Sequence, residues 1–304
     1  MAYIDDQRRQ VIQIRDKLFR DPGYGIFYNK EREFVLQDPR LNLWAGIRED
    51  AVDYFHRNDI PWWMGGEENE PTGHLLSSQI ACVNHLYFLR QRKDVADTVL
   101  NNVSADFVGA ERVDDGFVEF EVIGEENYLG ERSHTRGANA TSLDAVMVAR
   151  KKSGAKTLVM IEWKYTESYP IGESKYIPAR AKIYDPLLSE PDCPIKVDNP
   201  EVLYYEPFYQ LMRQTLLGWL MVKNGEYGCS EYLHLHAIPA KNKDLRDRVT
   251  SPNLKGNNLS DAWKNVLRIP TVYRVIDPVE LIRPAQKLPD TASFMNYLLQ
   301  RYWN

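Results

Sequence analysis

Glu162 and Lys164 are a carboxylate and an ammonium separated by a single residue, and they follow directly on the apolar run Leu158-Val159-Met160-Ile161. Such a run reads as a buried strand, and because side chains alternate along a strand, both charged groups leave the same face of the sheet. Burying them together costs on the order of several kcal/mol unless something compensates, and a bound divalent cation compensates the carboxylate. A second acid stands just upstream. Ser142 to Arg150 is another strand pattern and contains Asp144, and the polar, glycine-containing stretch 151–156 between the two runs has the character of a turn. An antiparallel hairpin brings Asp144 near Glu162. Two acids on neighbouring strands suit a hard cation such as Mg²⁺, which accepts one or two carboxylates, keeps several waters and takes further oxygens from a phosphate.

The elements that must position these groups are legible on both sides. Asp5 to Phe19 carries Val11, Ile14 and Leu18 among charges and predicts a short amphipathic helix. The aromatic-rich stretch through Trp44, Ile47, Tyr54, Phe55 and Trp62-Trp63 predicts a partly helical cap over residues 1–72. Trp62-Trp63 reads as core or interface, not as a base-stacking platform. The breaker-rich segment 65–73 opens onto a helix from about His74 to Arg90, followed by a second helix near Asp94 to Asn101 and a strand near Phe117 to Ile123. Glu121, on that strand, is expected to matter less than Asp144.

Beyond the hairpin, about Tyr165 to Pro200 reads as a long irregular segment and a candidate substrate loop, since loops of this length inside a domain are uncommon. Then come a helix over Glu201 to Lys223, a strand over Tyr232 to Ile238, a short helix near Asp261, a strand near Thr271 to Ile276 and a final helix from Ala292 to Tyr302. Residues 73–240 form the expected core, and 241–304 a C-terminal extension of the same domain.

Composition narrows the class. With 304 residues, 43% hydrophobic and 12% aromatic, the chain fills a sizeable core. No run reaches the roughly 18 apolar residues of a membrane span, and the first residues lack the layout of a signal peptide, so the expected location is the cytoplasm. Cys82, Cys193 and Cys229 form no Cys-x-x-Cys pair, which fits free thiols and no structural metal site. A net charge of −5 argues against coating nucleic acid through a basic surface, but local basic contacts remain available. Arg136, Lys175, Arg180 and Lys182 are the candidates for such contacts. His234 and His236 share a strand face and read as packed sheet residues.

Asp144 and Glu162-Trp163-Lys164, in a chain ordered helix, three strands, helix, strand, resemble the signature of the PD-(D/E)XK nuclease superfamily, and within it the bacterial restriction endonucleases. The resemblance runs from about Gly73 to Pro239. It implies a restriction-endonuclease-like αβββαβ core, an α/β fold with a mixed central sheet flanked by helices and here an N-terminal helical extension. It further implies a Mg²⁺-dependent DNA endonuclease, with Mn²⁺ as a substitute, in which Asp144, Glu162 and the backbone carbonyl of Trp163 hold the cation. Lys164 would orient the attacking water and support the developing anion. Leu143 stands where the nominal motif has Pro, and Gln79 stands where some members place a metal-binding Glu, which leaves one or two metal ions open.

Gln79 and Gln210, on the flanking helices, are candidates for positioning the nucleophile or a phosphate, since an amide donates without adding charge. A non-catalytic DNA-binding or assembly module on the same fold and an RNA-directed nuclease are the rival readings. DNA is the expected partner, with no membrane, and a homodimer is left open.

Overall fold

The apolar strands around Asp144 and Glu162 form the centre of the molecule, and a computed structural model, which describes residues 2–64, 69–137 and 140–303, builds the remaining elements around them. The chain starts with α1 (Tyr3–Leu18), the strands β1 (Tyr24–Phe27) and β2 (Lys30–Leu36), α2 (Arg48–Arg57), α3 (Ser78–Gln91) and α4 (Lys93–Val103). The middle holds β3 (Phe107–Glu111), β4 (Glu119–Val122), β5 (Leu143–Lys151), β6 (Lys156–Trp163), α5 (Pro178–Leu188), α6 (Phe208–Lys223) and β7 (Glu231–Ala237). It closes with α7 (Lys243–Arg246), α8 (Leu259–Asn265), β8 (Tyr273–Ile276), α9 (Pro278–Ile282) and α10 (Ala292–Arg301).

Six strands make one mixed sheet in the order β3-β5-β6-β7-β8, with β4 also on β5. β5 and β6 pair antiparallel, as the turn-like connection requires, whereas β6, β7 and β8 run parallel because a helix or a long connection carries the chain back each time. β3 and β4 follow one another along the same edge of β5, β3 beside its second half and β4 beside its first. This is an α/β fold with a restriction-endonuclease-like core.

Alternation along β5 and β6 divides the apolar core between the two faces of the sheet. Met147, Val159, Ile161 and Trp163 pack toward α3, α4 and α10, while Val146, Val148, Leu158 and Met160 pack toward α6. Gly218 lets α6 lie directly on β6, since a Cβ there would collide with the Met160 thioether. Ser77 caps α3 by accepting the Ile80 N–H at 3.3 Å. Val11 of α1 and Tyr54 and Phe55 of α2 belong to the same apolar cluster as α3 and α10.

Three expectations are corrected. The region 1–72 is not only helical: β1 and β2 form a hairpin through Tyr28 and Asn29, both with positive φ. The segment 165–200 is not wholly irregular, because α5 starts on Pro178 at a first-turn position, where the missing N–H has no helical partner to lose, and it runs through Pro186. The helix placed over 201–223 starts at Phe208, after Pro207, with a single 3₁₀ turn at Pro200–Leu203 before it. Of the connection at 65–73, residues 65–68 lie outside the described residues. Cys82, Cys193 and Cys229 are free and buried. Among the described residues, no helix is long and apolar enough to cross a membrane.

Candidate active site

Strand register places the acids side by side. Ala145 faces Ile161 across β5 and β6, so the next position sets Asp144 opposite Glu162. Phe120 faces Ala145 and Val122 faces Leu143 across β4 and β5, which sets Glu121 on the other side of Asp144. Glu162 in turn faces His236 on β7. The residues Glu121, Asp144, Glu162 and His236 therefore form one row across four strands, at the end of the sheet where β6 stops.

Hydrogen bonds fix the row. Asp144 Oδ2 accepts the Trp163 N–H at 2.7 Å, tying the two catalytic-motif strands at that point. Lys164 Nζ lies 2.5 Å from Glu162 Oε1 and donates to Gln210 Oε1 at 2.7 Å. The contact to Glu162 is an ion pair without hydrogen-bond alignment, and Oε1 keeps no aligned donor although it is buried. Gln214, on α6, donates from Nε2 both to the Ser142 carbonyl at 3.0 Å and to Glu162 Oε2. The Trp163 carbonyl accepts from Ser78 Oγ at 2.8 Å, which leaves one of its two lone pairs. Its indole points to the opposite face, with its ring centroid 4.7 Å from that of His85.

Glu121 joins the same row from β4. Its Oε1 accepts from Gln79 Nε2 at 2.9 Å and Trp63 Nε1 at 3.1 Å, and its Oε2 accepts from Ser142 Oγ at 2.8 Å. Its φ of 50° is left-handed, which is rare for a glutamate. Both Glu119 and Glu121 occupy the polar positions of an alternating strand, so they read as a solvent face. The usable signal was that this strand precedes the one with Asp144. Gln79 is hydrogen-bonded to Glu121, the Trp63 N–H and the Pro61 carbonyl, and so ties Glu121 to the Trp63 loop in the cavity wall. Of the two tryptophans, Trp62 is buried and stacks on Phe55, whereas Trp63 is 49% exposed on the rim of the site.

These groups line a cavity of about 350 Å³, with Glu121, Asp144, Trp163, Lys164, Gln79 and Gln210 in its wall. Burial, then the Glu162 and Glu121 charges, push the Asp144 carboxyl well above the ordinary carboxylate range. Burial first, and Glu162 as well, also raise Glu121, against the pull of its three donors. Burial alone would lower Lys164, but Glu162 and the other nearby acids outweigh it and hold the ammonium well above its usual value. Two buried acids, Glu121 and Glu162, and the half-buried Asp144 thus face one ammonium. Among the described residues no set of three or more His, Cys, Asp or Glu side chains encloses a metal position. The oxygens on offer are the Asp144 and Glu162 carboxylates and the Trp163 carbonyl, a set that suits an ion keeping most of its own waters.

The model of the family described as restriction endonuclease associating with ARP matches residues 13–303, which is nearly the whole chain. The chain belongs to this restriction endonuclease family. No curated protein and no solved structure matches it. Membership in the restriction endonuclease family gives the chain a nuclease-related role, and the match extends over the N-terminal elements as well as the sheet.

In this family member the proposed nucleic-acid contacts separate into two groups. Lys175 and Arg180 line a second cavity, of about 720 Å³, that shares Trp63, Ser142 and Gln210 with the first. Arg136 instead donates to the Glu121 and Asn58 carbonyls at 3.0 Å each and pairs with Glu119, so it clamps β4. Lys182 is exposed and is not in the wall of either cavity. His234 and His236 are buried on β7; His236 Nδ1 is 2.9 Å from the Tyr273 hydroxyl, and burial holds His234 down to about 4.

Proposed function

We propose that the chain is a Mg²⁺-dependent DNA endonuclease that hydrolyses phosphodiester bonds in a restriction-type or related defence system. The observation that carries this reading is the excess of acid over base along the row Glu121, Asp144, Glu162: Glu121 and Asp144 stand with Lys164 in the wall of an open cavity, and the buried Glu162 lies opposite Asp144 and pairs with that lysine. Proteins do not retain uncompensated buried charge without a use for it, and perturbed acids in a cleft are a mark of function.

Asp144, Glu162 and the Trp163 carbonyl would hold the cation. When bound, it supplies Lewis-acid stabilisation of the phosphate and a more acidic water, and Mn²⁺ would serve in its place. Gln214 fixes the Glu162 carboxylate by its second oxygen, and the Trp163 N–H fixes Asp144. Lys164, held as an ammonium, cannot accept a proton. Its role is to donate to the water or the phosphate and to offset charge building on the phosphoryl oxygens, with Gln210 setting the direction of Nζ. Cutting both strands of a duplex would call for two such centres, as in a homodimer.

The experiment is incubation with DNA and, in parallel, RNA, with Mg²⁺ or Mn²⁺ and with chelator as the control. Cleavage of DNA that chelator abolishes is the expected outcome. Asp144→Ala and Lys164→Ala are expected to lower the rate by at least roughly 10²–10³-fold while circular dichroism stays unchanged, and Glu121→Gln to have a smaller effect. Full activity in Asp144→Ala would end the proposal. Binding without cleavage would mark a DNA-binding module, and cleavage of RNA alone would move the substrate.

A further inference from the structure

The second cavity has a composition that the hydrolytic site does not explain. It lies between the start of α5, the start of α6 and the loop before β5, and it opens into the first cavity beside Trp63. Arg132, Lys175, Arg180 and Arg213 bring four positive charges to its wall. Two acids are also there: Glu131 is tied up by the Thr141 N–H and hydroxyl and the Tyr184 hydroxyl, and Glu206 has one buried oxygen without a hydrogen-bond partner, which leaves the wall with four positive charges against two acids.

Two of the arginines are mounted on one ring. The guanidinium carbons of Arg180 and Arg213 lie 5.4 and 4.7 Å from the Tyr209 ring centroid. Arg180 donates to the Lys175 carbonyl at 2.6 Å, and Arg213 donates to Thr141 Oγ1 at 3.1 Å. Among the described residues neither has a carboxylate partner, and Arg213 Nε is buried without an acceptor. Guanidiniums ordered by neutral groups and left without an acid are suited to an incoming phosphate.

Trp63 stands where the two cavities meet, with its indole Nε1 fixed by Glu121 and half of its surface exposed. A cationic channel with an exposed aromatic beside it is the arrangement that holds single-stranded nucleic acid, the channel tracking the backbone and the ring stacking a base. A paired base cannot present its face to Trp63. Cavities of about 350 and 720 Å³ in sequence also have the size of individual nucleotides, not of a duplex about 20 Å wide.

We propose that this groove is a subsite for an unpaired DNA nucleotide adjoining the scissile bond, its phosphate held by Arg180 and Arg213 and its base stacked on Trp63. The proposal rests on the endonuclease reading above and specifies its substrate: DNA that is single-stranded, or opened, next to the cut. Lys175 and Arg132 supply longer-range attraction at the groove wall.

The test uses two fluorescein-labelled DNA probes of the same sequence around the cut, one a full duplex and one with an unpaired flank. Binding to the full-length protein is followed by anisotropy in chelator, so that it needs no cleavage, and steady-state cleavage is measured in Mg²⁺. The wild type is expected to bind the unpaired-flank probe roughly tenfold more tightly, and Trp63→Ala to remove that preference while Trp63→Phe keeps it. The doubly substituted Arg180→Ala/Arg213→Ala protein is expected to raise KM far more than it lowers kcat, and to reduce the salt slope of binding by about 1.4, the value for two lost phosphate contacts on a single strand. Arg180→Lys/Arg213→Lys, which keeps the charge and guards against a folding defect, should retain the slope. Equal affinity for the two probes, or an unchanged salt slope in the double alanine protein, overturns the subsite. Cleavage with no preference removes this proposal alone, whereas a preference with no cleavage removes the endonuclease reading and, with it, the placement beside a scissile bond, leaving a groove that binds an unpaired nucleotide.

Discussion

Two clusters of buried charge lie on opposite faces of the sheet, and they are built on different terms. On the α10 side, Arg301 is fully buried and donates to the Asn42 carbonyl, the Asn42 side chain and the Tyr297 hydroxyl, with the rings of Phe19 and Tyr302 about its guanidinium at 5.0 and 4.7 Å. That is one positive charge wrapped in neutral acceptors and ring faces. On the α6 side, Glu121, Asp144 and Glu162 face one lysine, and a buried Glu162 oxygen has no aligned donor. The first cluster spreads its single charge over three neutral acceptors and two ring faces and leaves only Arg301 Nε without a partner, whereas the second sets several acids against one ammonium. A lone buried charge solvated by neutral acceptors and ring faces holds the fold together, and an excess of like charges beside a cavity marks a place where something can bind.

Variants at the two clusters should separate these roles. The largest stability effect is expected at Arg301: Arg301→Ala leaves the Asn42 and Tyr297 acceptors unpaired and should cost about 3–5 kcal/mol in urea unfolding, with or without Mg²⁺. A cost that changed with Mg²⁺ would break the contrast. Next is the cation itself. Mg²⁺ at 100 times its Kd should stabilise the wild type by about 2.7 kcal/mol, read as a rise in Tm, and Asp144→Asn should abolish that rise while being slightly more stable than wild type in chelator. A wild-type Tm indifferent to Mg²⁺ would show the acid cluster to be as self-sufficient as Arg301.

The effect that is smallest at neutral pH, because it develops only on acidification, concerns His85, next to the Arg301 cluster. Burial, assisted by the Arg301 charge and opposed by the Ala81 carbonyl, holds its pKa at about 3, against an ordinary 6.5. Between those values the unfolded chain takes up a proton that the native state refuses. Stability is therefore intact above about pH 6.5 and falls as pH drops toward 3, by about 1.4 kcal/mol per pH unit from this group. His85→Gln should flatten that limb of the urea midpoint measured against pH, and an unaltered limb would place the acid sensitivity elsewhere.

How much of this was legible in the sequence differs between the same two regions. The hairpin of β5 and β6 was readable because the runs around Val146 and Leu158 to Ile161 are uniformly apolar and a polar, glycine-containing turn separates them, so local pattern and tertiary role agree. Pairing then brought Asp144 to Glu162 by register alone. Glu121 was not readable at its true position, because an acid alternating with apolar residues looks solvent-facing, and only the packing of Trp63 and Gln79 over it makes it interior. α5 was missed because its two prolines resemble breakers, although one sits in the first turn. The groove was legible only in part: Lys175 and Arg180 stand out in the basic segment before and within α5, but Arg213 comes from the separate helix α6, and only the packing of both arginines on Tyr209 brings them together.

The start of α6 holds three contacts that belong to different tasks. Tyr209 carries the arginines of the groove, Gln210 meets Lys164, and Gln214, about one turn further on, meets Glu162. The helix thus fixes the distance between the groove and the acid row, the proposed places where a strand would be gripped and cut. Inserting one residue after Gln210 would swing Gln214 by about 100° and move it away from its carboxylate, so this spacing tolerates side-chain exchange far better than any change in length.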